Sequence, residues 1–323
     1  MKKKVAISVG DLNGIGIQLA LENHHTVSQL VEALYCIDEE MLQQASEKLN
    51  IPIPNTFQTL ENIAPYFEIE AGTVSKASGK YAYESFNKAI NLADLKKVDA
   101  ICTLPIHKKA WELAGIHYKG HTDALRDFFD AEAIMMLGCE QMYVALFTEH
   151  IPLKEVAGSI NEKDLTRFFL DFYKTAKPKK QVAVLGLNPH AGDDGVLGDE
   201  EKIIQKAIDH VNIALRQAQG TVAEPVEAQL LSPVEAFSDP LVPDVAFTPN
   251  VRKNYSHYIA MYHDQGLAPL KALYFDEGIN VSLNLPILRT SVDHGTAFDI
   301  AYKSVELNSL SYINAIKYIM ENT

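Results

Sequence analysis

The sequence predicts an α/β protein of two lobes with mostly parallel sheets and a cleft between the lobes, and three observations predict it. Short β-branched or apolar runs alternate with longer stretches of helical period along most of the chain. At 323 residues the chain exceeds the usual size of a single hydrophobic core. Its composition, 47% hydrophobic and 22% charged, is that of a folded globular enzyme rather than of a disordered chain.

The elements follow in order. VAISVG reads as a first strand, and Gly10, Gly14 and Gly16 form a turn that leads into the helical stretch IQLALE. ALYCID, AICTLP, IMMLG, YVALFT, VAVLGL, YIAMY and INVSLNL read as further strands. EEMLQQASEKLN, YAYESFNKAINLADLKK and EKDLTRFFLDFYKTA carry the helical period. GHTDALRDFF reads as a helix start at His121 and Thr122. AMYHDQGLAPLK reads as a strand delivering His263 and Asp264, a turn at Gly266, and Lys271 beyond it. TSVDHGTAFDIA reads as the end of a strand followed by a helix start. Residues 1–125 with 285–323 are expected to form one discontinuous lobe, and 126–284 a second, to which the family resemblance given below assigns the dimer contact. Within the second, the segment near 216–238 contains PVEA twice, at Pro225 and Pro233, and reads as an extended surface insertion.

Charge and cysteine content narrow the function. A net charge of −13 disfavours nonspecific binding to nucleic acid or to an anionic membrane, so any anion the protein binds needs a local basic pocket. Cys36, Cys102 and Cys139 are scattered within apolar runs, which supports neither a disulfide framework nor a thiolate metal site and fits a reducing cytoplasm. MKKK followed directly by a strand makes a poor signal peptide, and no apolar run is long enough to span a bilayer.

The chemistry-bearing residues recur at strand ends. His150, His190 and His263 each stand just past an apolar run, and in a parallel sheet the carboxyl ends of strands share one edge where ligands bind. Three imidazoles gathered there can hold a divalent cation with positions left open for water or substrate. Asp244 and Asp264 can add carboxylates, as ligands or as partners that orient the rings. Taken singly, each histidine is as well explained by a local hydrogen bond, and the spacings fit no local zinc motif. The helix start at His121 and Thr122 offers backbone N–H groups to a phosphate or carboxylate, although Thr122 also fits a plain N-cap. Lys271 and Arg289 can complete a phosphate clamp, or stand as surface cations. The first loop, spaced GxxxGxG, matches neither the dinucleotide fingerprint nor a Walker loop.

With these residues in hand the chain resembles the 4-hydroxythreonine-4-phosphate dehydrogenase family. The likeness rests on GDLNGIG, GHTDALRDFF, TEHIPL, GLNPHAG, AMYHDQGLAPLK, GINVSLNLP and ILRTSVDHGTA and covers nearly the whole chain. It implies an isocitrate/isopropylmalate dehydrogenase-like fold, and His150, His190 and His263 as ligands of a divalent metal: zinc, magnesium, cobalt or manganese. It also implies that His121, Thr122, Lys271, Asn280 and Arg289 bind a phosphorylated substrate. By looser transfer from the wider superfamily, Asp293, His294, Gly295 and Thr296 would contact NAD or NADP. Such enzymes are homodimers with active sites drawn from both subunits, so His263 would serve the neighbouring site. The sequence departs from the family pattern at Leu12, Ile17 and Gln18 in the first loop and in the PVEA segment.

The implied reaction is NAD(P)-dependent oxidation of 4-phosphooxy-L-threonine at C3, followed by decarboxylation, in pyridoxal 5'-phosphate biosynthesis. Asp264 and Asp244 are the expected catalytic carboxylates. Three alternatives stand beside it: a related dehydrogenase acting on 4-phosphothreonate or phosphoerythronate, a phosphotransacetylase-like acyltransferase, and a metabolite-binding protein without turnover.

Overall fold

In a computed structural model of the chain, residues 2–220, 235–303 and 305–323 are described. The chain divides into two compact units, Met1–Ala133 with Asp276–Thr323, and Ile134–Phe275. Eleven strands run in chain order: β1 Lys4–Ser8, β2 Glu32–Cys36, β3 Gln58–Thr59, β4 Ala100–Thr103, β5 Ile134–Cys139, β6 Met142–Leu146, β7 Val182–Leu185, β8 Phe237–Leu241, β9 His257–Ala260, β10 Ile279–Leu283 and β11 Leu288–Val292.

In the first unit the strand order is β3-β2-β1-β4-β11-β10. All neighbours are parallel except β10, which pairs antiparallel with β11. This pairing keeps β10 with the first unit, so the division falls before Asp276, whereas the sequence suggested a boundary at 284/285. Every residue of AICT in β4 is buried, as expected for a strand covered on both faces, and such strands read as continuous apolar runs. The helix Lys76–Asp94 begins where the Ser75 side chain accepts from the Ser78 N–H.

In the second unit the order is β5-β6-β9-β7-β8. β5 and β6 form an antiparallel hairpin, and β6, β9, β7 and β8 are parallel. Met135, Leu137, Val144, Leu146, Ala183, Leu185 and Tyr258 pack with Leu267 and Leu270 into the core of this unit. The helix Glu162–Ala176 is capped by Asn161, which accepts from the Asp164 N–H, and ends on Lys177 in the left-handed region.

Three sequence expectations need correction. Gly266 makes no turn: it lies inside the helix His263–Tyr274, where a Cβ would stand 2.4 Å from Val144 Cγ1 and 2.9 Å from Ala260 Cβ. Glycine there permits close approach of the helix to β6 and β9. TSVDHGTAFDIA ends β11, but residues 298–302 form turns rather than a helix. The PVEA insertion is narrower than 216–238, because Arg216 to Gly220 continue the helix Glu200–Gly220 and Phe237 opens β8. Both PVEA repeats begin within 221–234, which lies outside the described residues. Among the described residues no helix is long and apolar enough to cross a membrane, and Cys36, Cys102 and Cys139 are buried.

Candidate active site

The anion-binding candidates of the first unit are brought together around one buried cation. Arg289 lies on β11 opposite Ser282 of β10, and only 2% of it is exposed. Its Nε and Nη2 donate to Thr103 Oγ1 at 3.2 and 2.7 Å, and its Nη1 donates to Ser282 Oγ at 3.2 Å and Asn280 Oδ1 at 3.4 Å. Every one of these partners is a neutral oxygen. Burial pulls the guanidinium down to about 10, with the Cys102 thiol a smaller influence in the other direction. A buried cation without a carboxylate partner is a costly arrangement that an anionic ligand relieves.

The helix His121–Phe129 begins beside this group. Thr122 Oγ1 is 3.4 Å from Ser282 Oγ, and no side chain caps the helix start, so its first N–H groups remain available to an anion. His121 is buried, edge-on to Phe86 and Trp111, with its Nε2 enclosed and without a hydrogen-bond partner. Burial, and then the Arg289 charge, hold this imidazole well below its ordinary range, so it is neutral at physiological pH. Thus His121, Thr122, Asn280 and Arg289 form one constellation of the first unit. Lys271 belongs to the second unit, on the helix His263–Tyr274, with its Nζ 5.7 Å from the centre of the Phe275 ring.

The three histidines of the second unit follow β6, β7 and β9, which are parallel neighbours in the order β6-β9-β7. All three therefore leave the sheet at one edge. His150 and His263 come together, with ring centres 5.5 Å apart. His263 Nδ1 and Asp264 Oδ1 are 2.6 Å apart, a contact that leaves Nε2 open to a ligand. His190 is exposed and sits in a turn, Pro189–Gly195, in which His190, Ala191, Gly192, Asp193 and Asp194 all have positive φ. For L-residues that costs about 1–2 kcal/mol each. The turn is tied down by Glu201, whose carboxylate accepts from the Asn188 backbone N–H at 2.6 Å and its side-chain Nδ2 at 2.9 Å. Among the described residues no group of three His, Cys, Asp or Glu side chains is gathered closely enough to hold a cation. Asp244 is exposed at the start of the short helix Pro243–Ala246.

The glycine loop and the VDHGTA loop of the first unit meet each other. The Ile15 N–H donates to the Thr296 carbonyl at 3.0 Å, and a Cβ on Gly14 would stand 2.8 Å from that oxygen. Gly10, at φ +69°, leaves no room for a Cβ, which would lie 2.1 Å from the Pro105 carbonyl oxygen. In the second loop the Asp293 N–H donates to Ser311 Oγ, Gly295 is exposed, and His294 Nε2 is enclosed without a partner.

The family profile described as pyridoxal phosphate biosynthetic protein PdxA matches residues 28–319. The chain belongs to the PdxA family. It is 58% identical over 316 residues to a 4-hydroxythreonine-4-phosphate dehydrogenase of Sulfurimonas denitrificans, covering 98% of this chain and 96% of that one. A Helicobacter pylori relative of the same description is 49% identical over 98% of this chain and 99% of its own length. A solved structure of a putative 4-hydroxythreonine-4-phosphate dehydrogenase from Salmonella typhimurium superposes with a TM-score of 0.79 at 30% identity and full coverage of both chains. One from Klebsiella pneumoniae gives 0.78 at 28% identity and 99% coverage of each.

Membership of the PdxA family raises the fit of a metal and a dinucleotide. Two imidazoles on one cation, each at about 2.0–2.1 Å from it in a tetrahedral arrangement, place their ring centres about 5 Å apart. The His150–His263 separation within one chain is compatible with such a pair, which differs from the expectation that His263 serves the neighbouring site, and Asp264 stands on His263 Nδ1 where an outer carboxylate would. For the dinucleotide, His294 Nε2 is an enclosed polar atom without a hydrogen-bond partner, which a bound group would satisfy.

Sequence reasoning missed three residues of this PdxA chain. Thr103 and Ser282 are the oxygens that hold Arg289, and Ser8, the register partner of Thr103, has an enclosed hydroxyl without a partner. The signal available was a hydroxyl at the carboxyl end of an otherwise apolar strand, visible in VAIS and AICT. Read singly, such a residue does not reveal which charge it faces.

Proposed function

We propose that this protein catalyses the metal- and NAD(P)-dependent oxidation of 4-phosphooxy-L-threonine at C3, with decarboxylation to 3-amino-2-oxopropyl phosphate, in pyridoxal 5'-phosphate biosynthesis. The observation that carries the reading is the Arg289 guanidinium, buried among neutral oxygens beside an uncapped helix start. Such a group calls for a tightly held anion, and the phosphoryl end of the substrate named in its relatives' descriptions is one.

Arg289, Thr122 and the N–H groups at the helix start bind the phosphoryl oxygens, with Asn280 and neutral His121 as further hydrogen-bonding groups. Lys271 adds a point charge. His150, His190 and His263 would hold the cation, and the loop Asp293–Thr296 would contact the dinucleotide. When bound, the dinucleotide would supply the hydride acceptor and the cation a Lewis acid. Asp264 accepts from His263 Nδ1, and in this reading it orients the ring or relays a proton. Asp244 is the second carboxylate of this reading. Fixing the phosphoryl group turns binding energy remote from C3 into orientation of C3.

A homodimer with shared sites belongs to the same proposal. Leu153, Val196 and Phe275 of the second unit are large apolar side chains left 70%, 78% and 65% exposed in the single chain, and a dimer would be a means of covering such residues. A reducing cytoplasm suits the three buried thiols.

The test is to follow NADH or NADPH absorbance with purified protein, a divalent metal and 4-phosphooxy-L-threonine, and in parallel with 4-phosphothreonate. Turnover of the threonine phosphate, lost on chelation, is the expected result. Turnover of the threonate alone would move the assignment to the related dehydrogenase. Acyl transfer from acetyl phosphate that survives chelation would replace both.

A further inference from the structure

Arginine can only donate hydrogen bonds, and it has five N–H groups in a fixed fork. In this protein the Nε–H and one Nη2–H of Arg289 converge on a single oxygen, Thr103 Oγ1, at 3.2 and 2.7 Å. That edge of the fork is occupied. The Nη1 group donates to Ser282 Oγ at 3.2 Å and, at the longer distance of 3.4 Å, to Asn280 Oδ1. Thr103 is fully buried at the end of β4, where the strand fixes its position, whereas Arg289 has a long side chain that needs such an anchor.

The hydroxyls carry a direction as well as a position. Ser282 Oγ accepts from Arg289 and so turns its own hydrogen away from the guanidinium, and Thr122 Oγ1 lies 3.4 Å from it, a contact in which either hydroxyl can donate. Asn280 faces Arg289 with its oxygen.

We infer that Thr103 is a positioning residue that turns Arg289 so that its Nη1–Nη2 edge is the one offered to the ligand, and that Ser282 steadies Nη1 in the same orientation. The inference rests on the phosphate-binding reading above and deepens it. The edge so offered consists of charged N–H donors, which favours a ligand group rich in acceptor oxygens, an ionised phosphoryl group, over one that presents ammonium hydrogens.

The experiment is isothermal titration of the full chain with inorganic phosphate, for wild type, Thr103→Val, Thr103→Ser, Ser282→Ala and Arg289→Met. Thr103→Val is expected to weaken phosphate by about tenfold or more, the effect of losing a hydrogen bond that orients a charged group, and Thr103→Ser to restore it. Ser282→Ala should lose a few-fold, and it keeps the inference testable if Thr103→Val does not fold. With substrate, the rise should fall on KM more than on kcat, and binding of NAD should not change. A merely structural Thr103 would lower the melting temperature and leave phosphate affinity alone. Wild-type affinity in both Thr103→Val and Ser282→Ala would overturn the inference while leaving the phosphate site standing. Absence of phosphate binding by wild type, with Arg289→Met indistinguishable from it, would overturn the reading beneath and the inference with it.

Discussion

Arg289 and Asp11 are both buried, and burial acts on them with opposite consequences. For Arg289 the charge is kept, and its cost is met by ligand. Arg289→Met fills similar volume without the charge, so the fold should survive while KM for the phosphorylated substrate rises roughly a hundredfold, in line with about 1.5–3 kcal/mol per charged hydrogen bond. Steady-state kinetics beside a thermal melt checks both halves. Asp11, in the first loop, is fully enclosed, and burial pushes its carboxyl up to about 6 despite hydrogen bonds from the Asn13 N–H and Ser78 Oγ. A carboxyl raised in the folded state contributes stability that is present below its unfolded value near 3.8 and lost as pH rises through about 6. Asp11→Asn keeps the acceptor for Asn13 and removes the titration. It should therefore be the more stable chain at pH 7.5, by on the order of 3 kcal/mol at most, with the advantage vanishing by pH 4. Denaturant midpoints across that range would show the gap opening, and a gap independent of pH would count against the burial argument.

At the level of elements, the site depends on how helices seat against strands. The helix His263–Tyr274 carries His263, Asp264 and Lys271, and lies against β6 and β9 through Gly266. Gly266→Ala gains helix propensity but drives a methyl into Val144 and Ala260, so a net loss of about 1–3 kcal/mol is expected. The shift would also move His263 away from His150. Lower metal affinity, measured by titration of the metal-free protein, should accompany the lower urea midpoint. The left-handed turn that holds His190 shows the same dependence, since Glu201 and Asn188 fix it from a neighbouring helix and from the end of β7.

At the scale of the whole molecule the prediction concerns cation and assembly. Removing divalent cations should abolish dehydrogenase activity, and adding zinc or manganese back should restore it. Far-UV circular dichroism should stay unchanged, because the cores of both units are packed mainly from apolar side chains and His150, His190 and His263 lie outside them. Sedimentation should give twice the chain mass. The alternation of apolar runs and helical periods revealed most of the strands because parallel strands buried on both faces, such as AICT and VAVL, have a continuous apolar signature. The strand Phe237–Leu241 escaped that reading, since FSDPL lacks the signature and pairs only through its register with β7.

The sequence by itself determined the α/β class, the candidate histidines and the charged residues, since burial and helical period are written locally in residue type. It also showed that His150, His190 and His263 follow strands, and parallel strands leave their carboxyl ends on one edge. Only the tertiary structure decided that Arg289 is buried among neutral oxygens, that Thr103 and Ser282 hold it, and that Gly266 serves packing rather than a turn. Each of those facts joins residues far apart in the chain through strand register and helix seating, and no local pattern records which distant side chain a residue will meet.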